Sequence, residues 1–221
     1  MGTSEPAAER GNNTREGRAD GAATRALILA AAEQLFAVHG IEGVSTRRIL
    51  KESGVNPAAI HYHFGSKHNL VDALLTTRIA SLSEKQDQWL RKVETEEVPT
   101  PTAVIACFTR PIVEITEEPQ GEFTVKFLAE AANHPDFMES YLDKSVTTVK
   151  RKAAAVARVT PGLTREQQVA WTRFATTLAF RTLGSRIYTS GEGLPSADIS
   201  SLEKQVSWFL LLAIPDQEQD A

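Results

Sequence analysis

Apolar residues recur every three or four positions along most of the chain, the spacing that places them on one face of an α-helix. Segments that alternate apolar and polar residues over the length of a strand do not occur, so we expect an all-α fold. Gly- and Pro-rich breaks divide the pattern into about nine helices. The predicted helices span residues 24–39, 45–53, 56–64, 67–93, 102–118, 121–133, 135–158, 165–189 and 198–213.

Two of these helices are short and follow each other closely. Ser45 or Thr46 supplies a hydroxyl cap for the first, and Gly54 ends it because glycine adopts the left-handed conformation without steric cost. Asn56 caps the second, and Pro57 stands at its first position, where no N–H is needed. Two helices joined by a short turn that contains glycine form the helix-turn-helix arrangement, which reads DNA.

The surface of the second short helix favours nucleic acid. Ile60 and Phe64 give it one buried edge, whereas its remaining positions are small residues, imidazoles and a phenol. Between residues 45 and 70 the chain carries four basic residues and one acidic residue, although its net charge is −4. Phosphate contacts require such a local positive charge. The predicted DNA contacts are Thr46, Arg47, Arg48, Asn56, Pro57, Ala58, Ala59, His61, Tyr62, His63 and Lys67.

In this region the chain resembles the TetR family of bacterial transcriptional regulators. The matching residues are Phe36, Gly40, Thr46, Ile49, Gly54, Val55, Ile60, Tyr62, Phe64, Ser66, Lys67 and Leu70. Leu50 departs from the family pattern where a small residue is usual, and His68 departs from it where an acidic residue is usual. Neither departure removes a group that contacts DNA, and the resemblance covers about a fifth of the chain.

The resemblance implies a ligand-responsive regulator, a repressor that binds a palindromic operator as a homodimer and is released by a small molecule. We accordingly expect a flexible tail over residues 1–23, a three-helix DNA-binding domain over 24–70 and a helical effector-binding and dimerisation domain over 71–221. The expected partners are double-stranded DNA, a second copy of the chain and a small-molecule effector whose identity the sequence does not give. A helical protein–protein interaction module without DNA binding is the alternative.

The last two predicted helices are candidates for the dimer interface. The 165–189 helix is apolar on two opposite faces, so one face is available for a partner once the other packs on the chain's own core. In the TetR family these two helices form a four-helix bundle between subunits, although a purely buried final helix is the alternative. The predicted interface residues are Val169, Phe180, Leu183, Ile187, Leu202, Val206, Phe209, Leu210 and Ala213.

An effector site in the middle of the larger domain is also expected from the resemblance. An apolar pocket with a few polar groups is the usual form of a small-molecule site. Each aromatic residue at helical spacing has the alternative of an ordinary core position. The candidates are Cys107, Phe108, Phe123, Phe127, Glu130, Asn133, His134, Trp171, Phe174 and Arg181.

Other chemistries have weaker support. His61 and His63 lie on different sides of a helix, and neither Cys nor carboxylate residues complete a metal site with them or with His39 and His68. Cys107 is the single cysteine, and its apolar neighbours favour an inert thiol over a nucleophile or redox sensor. We expect no metal, no cofactor and no enzymatic activity, since phosphate-binding loops and nucleophile motifs are not found.

Composition agrees with a cytoplasmic, nucleoid-associated protein. The chain has 221 residues, of which 42% are hydrophobic and 24% charged, as in ordinary globular proteins. A lone cysteine fits a reducing compartment, and we expect neither a signal peptide nor a membrane span.

Within the tail, Arg15 and Arg18 could reach a minor groove, but a solvated leader without a role is the stronger interpretation.

Overall fold

A computed structural model describes residues 8–184 and 198–214, with side chains described from Asp20 onward except those of Met138 and Gly184. Within these ranges the chain forms nine α-helices and no strand, which confirms the all-α prediction. The helices are α1 (Ala8–His39), α2 (Thr46–Ser53), α3 (Ala59–Phe64), α4 (Lys67–Thr95), α5 (Pro101–Thr116), α6 (Gly121–Asn133), α7 (Met138–Val159), α8 (Arg165–Gly184) and α9 (Ile199–Leu212).

The chain divides into two compact units, Met1–Leu74 and Leu75–Ala221, and the division falls within α4. In the first unit α1 packs against α2 and α3. Its core consists of side chains that are almost completely buried, and burial of this apolar surface stabilises the small unit. These core residues are Ile28, Ala32, Phe36, Ile41, Val44, Ile49, Ile60, Leu70, Val71 and Leu74.

The first helix begins much earlier than the apolar pattern predicts. It starts at Ala8 instead of residue 24, so the expectation of a flexible tail over 1–23 is wrong for residues 8–23, and residues 1–7 lie outside the described chain. The added segment has no proline, and its alanine, glutamate and arginine residues favour a helix, whereas its three glycines and two asparagines do not. Extension is possible because the buried part has already nucleated the helix, and each further residue adds a hydrogen bond.

One part of α1 has the length and composition of a membrane span, contrary to the expectation from the sequence. The stretch Asp20–His39 passes that test, as do core helices of many globular proteins. Ile28, Ala32 and Phe36 are fully buried against the first unit's other helices. The apolar character of α1 is therefore explained by the core that it forms.

The second unit is built around α5. This helix packs against α6, α7, α8 and α9, and most of its residues from Val104 to Ile115 are buried. Thr100 caps it by accepting a hydrogen bond from the N–H of Ala103 (3.1 Å), and Pro101 occupies the first turn. A helix that is apolar on all sides has to be enclosed by others, and here four helices enclose it.

Side-chain bonds hold α7 against the end of α4 in the same unit. Arg151 donates to both carboxylate oxygens of Glu94, each at 2.8 Å, and to Asp87. These hydrogen bonds from Arg151 hold the pKa of Glu94 and of Asp87 below their usual values. Arg158 also donates to the carbonyl oxygen of Val93 at 2.8 Å. Charged hydrogen bonds thus fix the register of the two helices.

Two helix boundaries differ from the predictions. The α3 helix begins at Ala59 because Asn56 first forms a tight turn, in which its side-chain oxygen accepts from the N–H of Ala58 (2.9 Å). The α7 helix begins at Met138 after a turn in which the N–H of Phe137 bonds to the carbonyl of His134. For the predicted 165–189 helix, the described part ends at Gly184.

Gly54 provides a test of the turn between α2 and α3. It has φ +66° and donates its N–H to Leu50, and a Cβ there would meet no atom within 4 Å. Gly54→Ala should therefore lower the free energy of unfolding by about 1 kcal/mol through backbone strain alone. Chemical denaturation followed by circular dichroism measures the loss.

Gly162→Ala is the matched control. A Cβ at Gly162 would also stand in open space, and the φ of this residue lies outside the left-handed range. Alanine at this position should be neutral or slightly stabilising. Equal losses for the two variants would contradict the assignment of the effect to the left-handed conformation of Gly54.

Candidate functional site

The helix-turn-helix is set by short-range bonds at each helix end. The hydroxyl of Ser45 accepts from the N–H of Arg48 (3.2 Å) and caps α2, which decides between Ser45 and Thr46. The hydroxyl of Ser66 likewise accepts from the N–H of Asn69 (3.1 Å) at the start of α4. Asn69 returns a bond to the carbonyl of Phe64 (3.0 Å), which ties the end of α3 to α4.

The outer face of α3 combines an aromatic hydroxyl with imidazoles. Tyr62 is 83% exposed, which is unusual for an aromatic side chain with so much apolar surface. His61 is exposed and His63 is half-buried, with its ring 4.9 Å from that of Tyr62. An exposed phenol and imidazoles on a six-residue helix are well placed to bond to bases or phosphates.

The hydrogen bond of His61 determines what this residue offers to a ligand. Its Nδ1 lies 3.0 Å from the carbonyl oxygen of Gly65. Because a carbonyl oxygen can only accept, Nδ1 carries the proton and Nε2 of the neutral ring is a free acceptor. His61 can therefore accept from an amino group of adenine or cytosine in the major groove.

Most of the predicted DNA contacts lie at the surface of the first unit. Ala59 is an exception, because it is 7% exposed and packs in the core, so the prediction that it contacts DNA is wrong. Arg48 is exposed and donates to Nε2 of His39 (2.7 Å). Exposed residues are Arg47, Arg48, Asn56, Pro57, Ala58, His61 and Tyr62, and half-buried ones are Thr46, His63 and Lys67.

The predicted effector residues do not form one cluster. Cys107, Phe108, Phe127 and Trp171 are buried in the second unit. Phe123, Glu130 and His134 are half-buried, whereas Asn133, Phe174 and Arg181 are exposed. Arg181 donates to Asn133 at 3.5 Å on the surface. Phe174 is 50% exposed and its ring lies 6.2 Å from that of Phe209, so it stands apart from the buried candidates.

A charged group that sequence reasoning missed lies among the buried candidates. Lys152 is only 3% exposed, and its ammonium group lies 4.7 Å from the centre of the Phe108 ring. The signal was present in the sequence, because Lys152 shares a helix face with Tyr141, Ala155, Val156 and Val159, all of which are buried. A lysine within an apolar stripe at helical spacing is the pattern that would have identified it.

Burial changes the titration of Lys152 and of the neighbouring thiol. Removal from water lowers the pKa of Lys152 to about 8, because burial disfavours the charged form. Burial also raises the pKa of Cys107 to about 11, and its thiol donates to the carbonyl of Ala103 at 3.6 Å. At neutral pH the amine is therefore mostly charged, while the thiol is neutral and supplies no counter-charge.

Trp171 brings a second polar group to the same aromatic ring. Its ring centre lies 5.6 Å from that of Phe108, with the planes at 80°. Its indole N–H is buried and has no hydrogen-bond acceptor among the described residues. The ring of Phe108 of α5 is thus contacted both by the ammonium group of Lys152 of α7 and by the ring of Trp171 of α8.

The predicted dimer residues separate into a buried set and an exposed set. Phe180, Leu183, Val206 and Leu210 are at most 5% exposed within one chain, so their assignment to an interface is wrong. Val169, Phe209 and Ala213 are exposed and Leu202 is half-buried, whereas Ile187 lies outside the described residues. Two opposite apolar stripes on a helix do not reveal which of them faces the core.

An apolar surface on α8 and α9 that the predictions largely missed is left uncovered. Its members are Phe174, Trp208, Phe209 and Leu212, each between 48% and 64% exposed, and the rings of Phe174 and Phe209 are 6.2 Å apart. We call these four residues the α8–α9 patch. Exposed aromatic groups that contact each other across two helices are typical of interaction surfaces.

Comparison with known proteins assigns both units of the chain to a family. The sequence model described as "Bacterial regulatory proteins, tetR family" matches residues 28–74, which contain the helix-turn-helix. A second model, "Tetracyclin repressor-like, C-terminal domain", matches residues 106–211, most of the second unit. The chain belongs to the TetR family of bacterial transcriptional regulators. The resemblance seen in its sequence is thereby confirmed.

Two curated relatives match parts of the chain. The transcriptional repressor AcnR of Corynebacterium glutamicum is 41% identical over 61 residues, which cover 28% of this chain and 32% of that protein. The transcriptional regulator TtgR of Pseudomonas putida is 34% identical over 95 residues, 43% of this chain and 42% of that protein. The matched segments thus span less than half the length of either relative.

A solved structure extends the likeness to nearly the whole TetR-family fold. A transcriptional regulator from Aquifex aeolicus VF5 superposes with a TM-score of 0.59 and 17% sequence identity. The superposition covers 86% of this chain and 99% of that one. At this identity the match establishes the fold alone.

The buried charge of Lys152 leads to a prediction about stability. Folding favours neutral Lys152, so the unfolded chain binds more protons between pH 8 and 10.5, the folded and ordinary pKa values. Burial of the charged form of Lys152 should therefore lower the free energy of unfolding by about 3 kcal/mol. This loss is complete below pH 8 and vanishes as the pH rises through 10.5. Lys152→Met should therefore raise the free energy of unfolding by up to that amount at pH 7.

The free energies of unfolding of Lys152→Met and of the unchanged protein are measured by denaturant titration from about pH 7 to 10.5, at one protein concentration. Their difference at each pH cancels the contribution of the other titrating groups. Lys150→Met is the control, because Lys150 is exposed on the same helix. A gain for Lys152→Met that is no larger than the control's, or that does not shrink with rising pH, would refute the buried charge.

Proposed function

We propose that this TetR-family chain is a transcriptional repressor that binds a palindromic operator as a homodimer and releases it when a small molecule binds the second unit. The observation that carries the proposal is the exposed pair Tyr62 and His61 on the helix that follows the Gly54 turn. The family's role in transcription supports it. We assign no catalytic activity to the chain.

On DNA, the two kinds of contact have different tasks in this proposal. Thr46, Arg47 and Lys67 bind phosphates, and Lys67 does so at the N-terminus of α4, where the helix dipole adds positive charge. His61 and Tyr62 read base edges through the major groove. A homodimer places two α3 helices in successive major grooves, about 34–36 Å apart.

The α8–α9 patch is the proposed dimer interface. A pair of such patches related by a twofold axis buries eight large apolar side chains, four from each chain, that separate chains leave in water. Val169 and Ala213, which are exposed on the same two helices or at their ends, extend the surface. This interface replaces the one predicted from Phe180, Leu183, Val206 and Leu210.

For release, we propose that an effector acts through α7 on α4. The α4 helix begins at Lys67, a proposed phosphate contact, and its later part is bound by Arg151 of α7 through Asp87 and Glu94. Arg151 and Lys152 are neighbours on α7, and in this proposal a ligand at the ammonium of Lys152 shifts α7 and with it the hydrogen bonds from Arg151 to α4. Loss of operator binding on addition of such a ligand is the measurement that tests this step.

A protein–protein interaction module without DNA binding is the second candidate, and the α8–α9 patch alone would suit it. The two functions differ in salt dependence, because contacts to several phosphates make DNA binding fall steeply with salt concentration. A cytoplasmic location, with association to the nucleoid through DNA, follows from the first candidate only.

We expect different effects from two substitutions in the first unit. Lys67→Ala should weaken binding to every DNA sequence roughly threefold to tenfold and reduce the salt slope by about 1, because it removes one phosphate contact. His61→Ala should weaken binding to the preferred operator about tenfold and leave non-specific binding nearly unchanged. Titration of an operator selected from random DNA, and of its scrambled form, at two salt concentrations measures both effects.

Lys150→Ala is the control, because it removes the same charge from an exposed position on α7. It should leave both affinities within about a factor of two of the unchanged protein, a margin typical of a surface substitution. Equal losses on every sequence for Lys67→Ala and His61→Ala would contradict the division of tasks. Salt-insensitive binding, or none to any selected DNA, would favour the protein–protein module.

The proposed interface predicts that Phe209→Glu yields monomers. A charge on this half-exposed residue would be buried in the dimer but remain in water in the monomer, so the fold survives while the dissociation constant rises about 100-fold. Sedimentation equilibrium should give a mass near 24.2 kDa in place of twice that value.

Leu142→Glu is the matched control, since Leu142 is 53% exposed on α7, a helix that contributes no residue to the patch. It should remain dimeric. Dimers of normal stability for Phe209→Glu would place the interface elsewhere, and monomers for both variants would mean that added charge, not its position, dissociates the protein.

A further inference from the structure

The most unusual feature of the second unit is a positive charge in its core that the chain does not neutralise. Lys152 is 3% exposed, and no hydrogen bond or ion pair joins its ammonium group to the described residues. Its ammonium group faces the ring of Phe108 at 4.7 Å. A cation–π contact returns only part of the cost of burying a charge.

A second unsatisfied donor borders the same ring. The indole N–H of Trp171 is buried without an acceptor among the described residues, and Trp171 packs edge-on against Phe108. An isolated donor in a protein interior is costly when nothing accepts from it. The ammonium group of Lys152 and the ring of Trp171, which belong to different helices, both contact the ring of Phe108, and neither donor has an acceptor among the described residues.

The chemistry of these donors specifies the class of ligand. One unit of positive charge together with one neutral N–H matches a single carboxylate, which has two oxygens to share between them. The faces of Phe108 and Trp171 supply apolar contact for the rest of the molecule. A phosphate dianion would bring a second charge for which these residues have no partner.

We infer that the effector of this regulator is a small monocarboxylic acid with an aromatic or branched apolar body, its carboxylate bound by the ammonium of Lys152 and the indole N–H of Trp171. This inference rests on the proposed function, because it names the ligand class of the proposed effector site. The site differs from the one predicted from the sequence, which omitted Lys152 and included surface residues.

The test compares acids with their neutral counterparts. Benzoate, phenylacetate and isovalerate are titrated into the full-length protein alongside benzamide, phenylacetamide and isovaleramide, and binding is followed by calorimetry and by the indole N–H resonances of the ¹⁵N-labelled protein. Chloride at the same ionic strength distinguishes an organic acid from any small anion. We expect binding of at least one acid over its amide by about tenfold or more, with a shift of the Trp171 resonance.

Variants then assign the contacts. Lys152→Met should weaken the acid about 10- to 100-fold, the usual effect of losing a charged hydrogen bond, and it should fold because it removes a buried charge. Trp171→Phe keeps the ring and should weaken the acid about threefold to tenfold. Lys150→Met should have no effect, since that ammonium group is exposed.

The inference is overturned if no acid in the panel binds, if amides or chloride bind equally well, or if Lys152→Met binds the acids as the unchanged protein does. Operator binding is measured separately without any acid. Normal operator binding together with one of these results removes the ligand class and leaves the proposed function intact. Lys152-dependent acid binding without operator binding removes the proposed function and leaves the ligand site.

Discussion

The enclosure of α5 is the constraint on which the second unit depends. Its middle presents Val104, Ile105, Cys107 and Val113 on different sides of the helix, and each of them is at most 2% exposed. Such a helix is stable in water only when neighbours cover it all round. The need to cover it brings α6, α7, α8 and α9 together and decides which face of each helix points inward.

The same enclosure has two consequences at a distance from α5. Because the inner stripes of α8 and α9 are taken up by Ala175, Phe180, Val206 and Leu210, their other apolar stripe is left in water as the α8–α9 patch. And because α7 has to pack along α5, the lysine in its apolar stripe is carried into the interior beside Phe108. An apolar surface left in water and a charge buried in the interior thus arise from a single packing requirement.

In the first unit, by contrast, hydrogen bonds between residues close in the chain determine most of the structure. Ser45, Asn56 and Ser66 each satisfy a backbone N–H two or three residues ahead, and Gly54 reverses the chain with a left-handed φ. Capping and turn chemistry of this kind depend only on neighbouring residues. That is why the order of the short helices, and the surface position of most residues proposed to contact DNA, could be predicted from the sequence.

Ala59 shows where that local reasoning ends. Its small side chain suggested a close approach to DNA, but α3 begins two residues later than expected, and the rotation of its first turn directs Ala59 into the core with Ile60. Helix ends are decided by competition between nearly equivalent hydrogen bonds, so a short shift changes which residues face outward. His61 and Tyr62, which follow these core positions on the helix, stay exposed.

The sequence by itself determined the helical class, the break points, the capped helix-turn-helix and the family, since each depends on periodicity or on residues close together in the chain. Only the tertiary structure decided which stripe of α8 and α9 is core, because two opposite apolar faces are equivalent until a neighbour covers one. It also decided that Lys152 is buried while Lys150 is exposed, although both are lysines on one helix. The reason is physical: the free energy of a side chain depends on what surrounds it, and for these residues the surroundings come from distant parts of the chain.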